Sequence, residues 1–248
     1  MTTFILIHGG LHGGWCWEHV VPRLEAAGHK ALAPNLPGMG GDPTPLEETS
    51  LAGNADFIAD LVRRQGEPAV LVAHSMGGIT MSEAAERVPE RLRGLIYVVA
   101  DLVPGGMTMG ESGHPELVST ARDVMTSPDG SVAYGFAPEI AIEVFYNRTD
   151  RAVAERAIAR LTPQPLAAMA QPLSVTPERF GRVPRAYVEC LDDHAVPLSM
   201  QRREQKALPC DPVVTMDSDH SPFLCAPEEL TRHLIAIAET FPRVPSYR

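Results

Sequence analysis

The stretch Ala69-Val-Leu-Val-Ala-His-Ser-Met-Gly-Gly78 decides the fold of this chain. Its first five residues are apolar, which predicts a short buried strand, and a helical pattern begins at Met76. A serine between a buried strand and a helix, with Gly77 two positions later, is typical of a sharp turn that exposes a nucleophilic hydroxyl. Ser75 would also suit a helix cap, so this interpretation depends on partners elsewhere in the chain.

Short apolar runs and helical patterns alternate on both sides of this turn. The predicted strands cover residues 4–7, 30–33, 69–73, 95–100, 185–190 and 212–216. The predicted helices cover residues 17–27, 51–65, 76–87 and 227–241. Such alternation is typical of βαβ units, so we predict an α/β fold with a mostly parallel six-stranded sheet flanked by helices.

The segment between residues 102 and 183 departs from this alternation. It is rich in Met, Pro and Gly, and its helical patterns lie at residues 140–146 and 152–161. We therefore predict an inserted helical cap at residues 102–183, on a core formed by residues 1–101 and 184–248. The last residues, 242–248, are expected to form a loose tail.

Composition restricts the function classes. The 248 residues suffice for one medium α/β domain with its own core. With 21 Lys and Arg against 31 Asp and Glu, the formal net charge is −10, which argues against nucleic acid and anionic membranes as partners. No apolar run approaches the length of about 20 residues that a membrane-spanning helix needs. The sequence does not fix the oligomeric state, and a homodimer agrees with base rates.

The cysteines and the N-terminal residues bear on the cellular compartment. Cys16, Cys190, Cys210 and Cys225 lack the spacing of a metal site. The first seven residues read as a short apolar strand and not as a secretory signal. We therefore expect a cytoplasmic protein with free thiols that needs neither a metal nor a cofactor.

A glycine-rich loop follows the first predicted strand. His8-Gly-Gly-Leu-His-Gly-Gly14 can present backbone N–H groups towards Ser75. Gly10 and Met76, the residue after the serine, are the predicted donors of an oxyanion hole. A plain glycine-rich turn would have the same local sequence, so this prediction also depends on the rest of the site.

Two late loops offer an acid and a base. Asp192 and Asp193 follow the predicted strand at 185–190, and His220 follows the one at 212–216. The order serine, aspartate, histidine along the chain is typical of one form of the Ser-His-Asp triad. The two aspartates are adjacent and point in different directions, so the residues alone leave both open as the acid. Three more histidines flank the site and are expected to be structural hydrogen-bonding residues: His8, His12 and His74.

These motifs together resemble one branch of the α/β-hydrolase superfamily, which contains plant methyl-ester esterases, plant hydroxynitrile lyases and bacterial esterases such as pyrethroid hydrolases. The resemblance covers nearly all of the chain outside the predicted cap. It is carried by His8-Gly-Gly-Leu-His-Gly-Gly-Trp-Cys-Trp17, Ala73-His-Ser-Met-Gly-Gly78, Asp193-His-Ala-Val-Pro197 and Asp219-His220. In this branch the triad acid is followed by a short stretch that ends in proline, which implies Asp193. The resemblance thus implies an α/β-hydrolase fold with Ser75, His220 and Asp193 as the triad.

The same resemblance bears on the reaction. Lyases of this branch carry a lysine after the catalytic histidine and a threonine after the first histidine of the oxyanion loop, where this chain has Ser221 and Gly9. Ser75 stands where haloalkane dehalogenases and epoxide hydrolases carry aspartate. The resemblance therefore implies a serine carboxylesterase without cofactor. A hydroxynitrile lyase-like activity and a ligand receptor are the alternatives, which the fold does not separate.

The predicted cap supplies large apolar side chains. Methionine and aromatic residues can line an adaptable apolar pocket, so we expect neutral, largely apolar esters as substrates, of the pyrethroid type or otherwise bulky. The candidates are Met107, Met109, Met125, Tyr134, Phe136, Phe145, Tyr146, Met169 and Phe180. Each of them could equally pack the cap onto the sheet.

Overall fold

The structure is a computed structural model that describes residues 1–112, 123–126 and 132–242. For residues 123–126, 132 and 134 it describes the backbone alone. The side chains of Met125 and Tyr134 therefore lie outside the described residues, as does the predicted tail beyond residue 242.

The first half of the chain forms four parallel strands with helices between them. In chain order its elements are β1 (Thr3–Ile7), α1 (Val21–Ala26), β2 (Lys30–Leu32), α2 (Leu51–Arg63), β3 (Ala69–His74), α3 (Gly77–Arg87) and β4 (Leu92–Val98). Helix α1 begins later than expected because a 3-10 turn at Gly14–Trp17 precedes it. Pro22 then favours the first turn of the α-helix.

The segment after β4 contains both helices and strands. Its described elements are β5 (Asp123–Thr126), β6 (Val132–Gly135), α4 (Pro138–Phe145), α5 (Arg151–Ile158) and β7 (Gln164–Pro165). Both helices lie close to the predicted positions, and β5, β6 and β7 add a small antiparallel sheet that the sequence did not predict. Strands of two to four residues are too short to show a period-two pattern. The division into core and cap stays a prediction.

The last part of the chain completes the main sheet. Its elements are β8 (Arg185–Cys190), α6 (Leu198–Ala207), β9 (Val213–Met216), α7 (Pro222–Cys225) and α8 (Pro227–Thr240). The six strands are parallel in the order β2-β1-β3-β4-β8-β9, which confirms the predicted fold class. Within the described ranges, no helix is both long and apolar enough to cross a membrane.

The sheet brings the predicted site residues to one edge. Because the six strands are parallel, their carboxyl ends share that edge, and the loops after β1, β3, β8 and β9 leave the sheet there. Strands β1 and β3 are buried at every residue, as expected for central strands covered on both faces. Nine of the eleven residues of α3 are also buried, so the helix that follows Ser75 is anchored in the core.

Candidate active site

Ser75 occupies a left-handed backbone conformation at the end of β3, with φ at 50°. Only a small share of non-glycine residues adopt this region, and holding one there costs about 1–3 kcal/mol. Three backbone hydrogen bonds hold the turn. The Ser75 amide donates to the Val98 carbonyl at 3.4 Å, and the Ser75 carbonyl accepts from the amides of Gly78 at 2.9 Å and Asp101 at 3.0 Å. The turn is therefore fixed by β4 and by its own helix.

The glycines around this turn allow backbone segments to approach each other closely. A Cβ atom on Gly77 would lie 2.6 Å from the His8 carbonyl oxygen, and one on Gly78 would lie 2.3 Å from the Asp101 carbonyl oxygen. Gly9 faces the serine itself, because its Cβ would lie 2.8 Å from the Ser75 Cβ. Gly9, Gly77 and Gly78 thus each allow a close approach that a side chain would prevent.

The loops after β8 and β9 bring His220 and Asp193 together. The His220 Nδ1 lies 2.7 Å from Asp193 Oδ2, and both side chains are almost fully buried. The other carboxylate oxygen, Oδ1, accepts from the amides of Ala195 at 2.7 Å and Val196 at 2.8 Å. Because a carboxylate accepts, His220 carries its proton on Nδ1, which leaves Nε2 free to act as a base.

Asp192 has a different environment from its neighbour. Its side chain is 49% exposed and lies 3.9 Å from the Arg148 guanidinium and 3.7 Å from the His194 ring. It also accepts a hydrogen bond from the Asn147 amide at 3.3 Å. Of the two aspartates that the sequence left open, Asp193 is thus the one that contacts His220.

His74 connects the strand of the serine with the loop of His220. Its Nε2 donates to the His220 carbonyl oxygen at 2.7 Å, and the two ring centroids are 4.6 Å apart. Burial, together with the nearby His220, lowers the pKa of His74 well below its ordinary value. His74 is therefore a neutral donor that fixes the backbone of the base, in agreement with the structural role expected for it.

The predicted oxyanion donors lie at the ends of two loops beside the serine. Met76 is the N-cap of α3, and Gly10 follows β1 in the glycine-rich loop. The hydrogen bonds of the described residues include none donated by the Gly10 or the Met76 amide. Their assignment as the donors of an oxyanion hole stays a prediction.

His8 and His12 hold the backbone of the glycine-rich loop. The His8 Nδ1 lies 2.8 Å from the Gly9 carbonyl oxygen, and the His12 Nδ1 lies 2.8 Å from the Gly10 carbonyl oxygen. Burial lowers the pKa of His8 to about 4 and that of His12 to about 3. Both rings are thus neutral at ordinary pH and act as structural hydrogen-bonding residues.

The segment after β4 contacts the site mainly through aromatic side chains. The Phe145 ring packs on the His220 ring with centroids 5.4 Å apart, and Phe136 packs edge-on against Phe145 at 5.2 Å. Phe180 lies elsewhere, because the guanidinium of Arg185 stacks on it at 4.5 Å at the N-terminal end of β8. Among the pocket candidates that the structure describes, Phe145 contacts the ring of the predicted base.

Asp219 belongs to the Asp219-His220 motif, and the sequence predicted no separate role for it. Its buried carboxylate accepts from the Arg148 amide at 3.0 Å and the Thr149 hydroxyl at 2.8 Å, and from the Ser221 amide at 2.9 Å. These bonds tie the turn between α4 and α5 to the loop of His220. The signal in the sequence is only its position next to His220.

The described residues contain no group of three or more His, Cys, Asp and Glu side chains that could hold a metal ion.

Comparison with known proteins gives the family. A model described as the alpha/beta hydrolase family matches residues 4–232. Methylesterase 7 of Arabidopsis thaliana is 32% identical over 96% of this chain and 96% of its own. Pyrethroid hydrolase of Sphingobium wenxiniae is also 32% identical, over 96% of this chain and 88% of its own.

Solved structures give the same result. The crystal structure of polyneuridine aldehyde esterase matches with a TM-score of 0.85 and 25% identity, over 96% of this chain and 99% of that chain. A crystal structure of a pyrethroid hydrolase matches with a TM-score of 0.83 and 28% identity, over 97% and 98%. The chain belongs to the α/β-hydrolase family. Its relatives are esterases, which confirms the predicted class of a carboxylic-ester hydrolase.

The contrast between Asp193 and Asp192 predicts a contrast between two matched variants. Asp193→Asn should lower kcat by about 10⁴, because an asparagine amide at this position favours the wrong tautomer of His220. Asp192→Asn removes the same charge from the half-exposed neighbour and should leave kcat near the wild-type value. Steady-state hydrolysis of p-nitrophenyl butyrate measures both, and a larger loss in Asp192→Asn would contradict the assignment.

The three buried neutral histidines predict acid sensitivity of the fold. In the unfolded chain a histidine takes up a proton near its ordinary pKa of about 6.5, whereas burial keeps His8, His12 and His74 neutral in the folded chain. Between pH 6.5 and about 4 the unfolded state therefore binds more protons, so the free energy of unfolding falls as the pH falls.

Urea denaturation between pH 7 and pH 5 measures this slope. Each buried histidine should contribute up to about 1.4 kcal/mol per pH unit, and His12→Gln should reduce the slope by about that amount. His19→Gln at the exposed His19 is the control and should leave the slope unchanged. A slope that is equal in wild type and His12→Gln would contradict the neutral state of His12.

Proposed function

We propose that this chain is a serine carboxylesterase that hydrolyses carboxylic esters through an acyl-enzyme. Ser75 is the nucleophile, His220 the general base and Asp193 the acid that orients the base. The observation that carries the proposal is the pairing of His220 with the buried Asp193 at 2.7 Å, beside the left-handed turn that presents Ser75. This combination of a strained serine turn and an ordered acid–base pair is what acyl transfer requires.

The reaction follows from the positions of the protons. The Ser75 Oγ attacks the ester carbonyl carbon while the His220 Nε2 takes the hydroxyl proton, and Asp193 stabilises the imidazolium that forms. The carbonyl oxygen becomes an anion and accepts from the amides of Gly10 and Met76. Collapse of this intermediate breaks the ester C–O bond, and His220 gives its proton to the leaving alcohol. Water then hydrolyses the acyl-enzyme by the same steps.

Hydrolysis is favoured over cyanohydrin cleavage by the backbone at Gly9. A side chain at this position would place its Cβ 2.8 Å from the Ser75 Cβ and 2.8 Å from the His74 Nδ1, so the threonine of the lyases would require the serine turn to move. Ser221 also replaces the lyase lysine, and its side chain is buried. A ligand receptor transfers no proton, so it would not require the ordered pair of His220 and Asp193.

The substrate class follows from the surroundings of the base. Phe145 covers one side of His220, and the neighbouring rings of Phe136 and His12 continue the aromatic surface. A charged acyl or alcohol group placed there would lose its water without a paired charge, at a cost of several kcal/mol. Relatives named for methyl jasmonate and for pyrethroids agree with neutral, largely apolar esters.

The cellular compartment is part of the same proposal. Cys16, Cys190, Cys210 and Cys225 are free thiols, and the first two are buried. Burial raises the pKa of the Cys16 and Cys190 thiols. We infer a reducing compartment, and the cytoplasm is the simplest such compartment.

Removing the nucleophile tests the proposed reaction. Ser75→Ala should lower kcat by about 10⁴ or more, because no other group supplies the attacking oxygen. The circular dichroism spectrum and the melting temperature should stay close to those of the wild type. Ser112→Ala is the matched control, because Ser112 lies on the segment after β4 and its hydroxyl donates to the Met109 carbonyl at 3.0 Å. A Ser75→Ala variant with near-wild-type hydrolysis would contradict the proposal.

Charge on the substrate tests the proposed pocket. The enzyme should turn over p-nitrophenyl butyrate much faster than the p-nitrophenyl monoester of a dicarboxylic acid of equal length, because the second carboxylate must leave water. The ratio of kcat/KM for the two esters measures this preference. A preference for the anionic ester that persists at high salt would contradict an apolar pocket.

A further inference from the structure

Gly10 lies between two peptide groups that are each held by a histidine. The carbonyl oxygen of Gly9, which belongs to the peptide that carries the Gly10 amide, lies 2.8 Å from the His8 Nδ1. The carbonyl oxygen of Gly10 itself lies 2.8 Å from the His12 Nδ1. The two imidazole rings thus set both backbone torsion angles of the flexible Gly10. The direction of the Gly10 N–H is fixed as a consequence.

The protonation of both rings can be deduced from their partners. The Leu36 amide donates to the His8 Nε2 at 3.0 Å, so the proton of neutral His8 is on Nδ1 and is donated to Gly9. The Gly10 carbonyl can only accept, so His12 also carries its proton on Nδ1. The Nε2 of His12 is then an acceptor, and the Tyr146 hydroxyl, 2.8 Å away, is its donor.

His12 keeps this protonation state because burial disfavours an imidazolium. The ring is buried among five aromatic or imidazole rings, with centroids 5.3 to 6.0 Å away: Trp15, His74, Phe145, Tyr146 and Phe223. Burial lowers its pKa to about 3 and raises the pKa of the Tyr146 phenol well above its ordinary value. The direction of each hydrogen bond is therefore the same throughout the neutral pH range.

Leu11, the residue after Gly10, shows that contacts with another segment stabilise the conformation of this loop. Leu11 has a φ of 66°, which is strained for a side chain of its size. Its amide donates to the Gln164 side-chain oxygen at 3.4 Å, and its carbonyl accepts from the Thr162 amide at 2.8 Å. Gln164 and Thr162 belong to the segment after β4, as does Tyr146.

We infer that Tyr146 is a positioning residue for the oxyanion hole. Its hydroxyl fixes His12, His12 fixes the Gly10 carbonyl, and the Gly10 N–H is thereby held in the direction in which it meets the oxyanion. The segment after β4 thus shapes the oxyanion hole in addition to contacting His220. This inference rests on the proposed function, since it assigns Tyr146 a part in the same reaction.

The geometry separates this role from substrate binding. Tyr146 is 1% exposed, and its hydroxyl is already bonded to His12, so the side chain has no free polar group for a substrate. The hydroxyl of Tyr146 must therefore affect the reaction through His12, in the step that forms the oxyanion. Ground-state binding of an ester should not depend on the hydroxyl.

The test compares Tyr146→Phe with a matched control. Tyr146→Phe deletes one buried hydroxyl and keeps the ring, and Tyr97→Phe does the same for a buried tyrosine whose hydroxyl lies 2.8 Å from that of Ser82. Loss of a whole oxyanion donor costs about 10²–10³ in kcat, so a misdirected donor should cost about tenfold in kcat/KM. Tyr97→Phe should retain wild-type kcat/KM, and both variants should show similar small losses of melting temperature.

Inhibition constants distinguish a positioning role of Tyr146 from a purely structural one. A trifluoromethyl ketone with a butyl chain forms a tetrahedral adduct, so its Ki should rise in Tyr146→Phe by the same factor as kcat/KM falls. The corresponding secondary alcohol forms no adduct, and its Ki should stay unchanged. Combining Tyr146→Phe with His12→Asn should cost no more than His12→Asn alone, because the hydroxyl acts through the ring.

The outcomes separate this inference from the proposed function. A wild-type kcat/KM in Tyr146→Phe, equal losses in the two tyrosine variants, or a change confined to the alcohol Ki would each overturn the inference. Absence of ester hydrolysis in the wild type would instead overturn the proposed function. In that case the amide resonance of Gly10 in glycine-labelled protein decides the inference, since it should shift in Tyr146→Phe and not in Tyr97→Phe.

Discussion

The left-handed backbone at Ser75 determines how the segments of the site pack against one another. A residue with φ at 50° changes the chain direction sharply, so β3 leads directly into α3. The segments beside the turn come into contact as a result. Gly9, Gly77 and Gly78 have no side chain because a Cβ at any of them would lie within 2.8 Å of another heavy atom. The loop after β1 and the end of β4 are thereby packed directly against the serine.

The four histidines of the site have different partners and different protonation states. Of His8, His12, His74 and His220, all of which the structure describes in full, only His220 pairs with a carboxylate. Burial lowers the pKa values of the other three, which keeps them neutral and lets them donate to backbone carbonyl groups. A second imidazolium beside His220 would oppose the positive charge that forms on His220 in the proposed reaction. Neutral neighbours therefore provide rigidity without this electrostatic cost.

The sequence predicts the sheet and the serine turn because both depend on local patterns. Apolar runs of β3 and β8 and the small residues after Ser75 are visible without knowledge of the fold. Asp192 and Asp193 are adjacent, so composition does not distinguish them, and a resemblance was needed to choose. The contact of Tyr146 with His12 joins residues 134 positions apart, and that of Thr149 with Asp219 joins residues 70 apart. Such pairs depend on how the segment after β4 packs, which no local pattern encodes.

Covalent labelling tests whether the left-handed turn makes Ser75 the nucleophile. The protein is treated with an alkyl fluorophosphonate, digested and mapped by mass spectrometry, with heat-unfolded protein as the control. If Ser75 is the nucleophile, we expect one phosphonyl group per folded chain, on the peptide that contains Ser75, and no reaction of the unfolded chain. Labelling of a different residue, or of folded and unfolded chains alike, would contradict it.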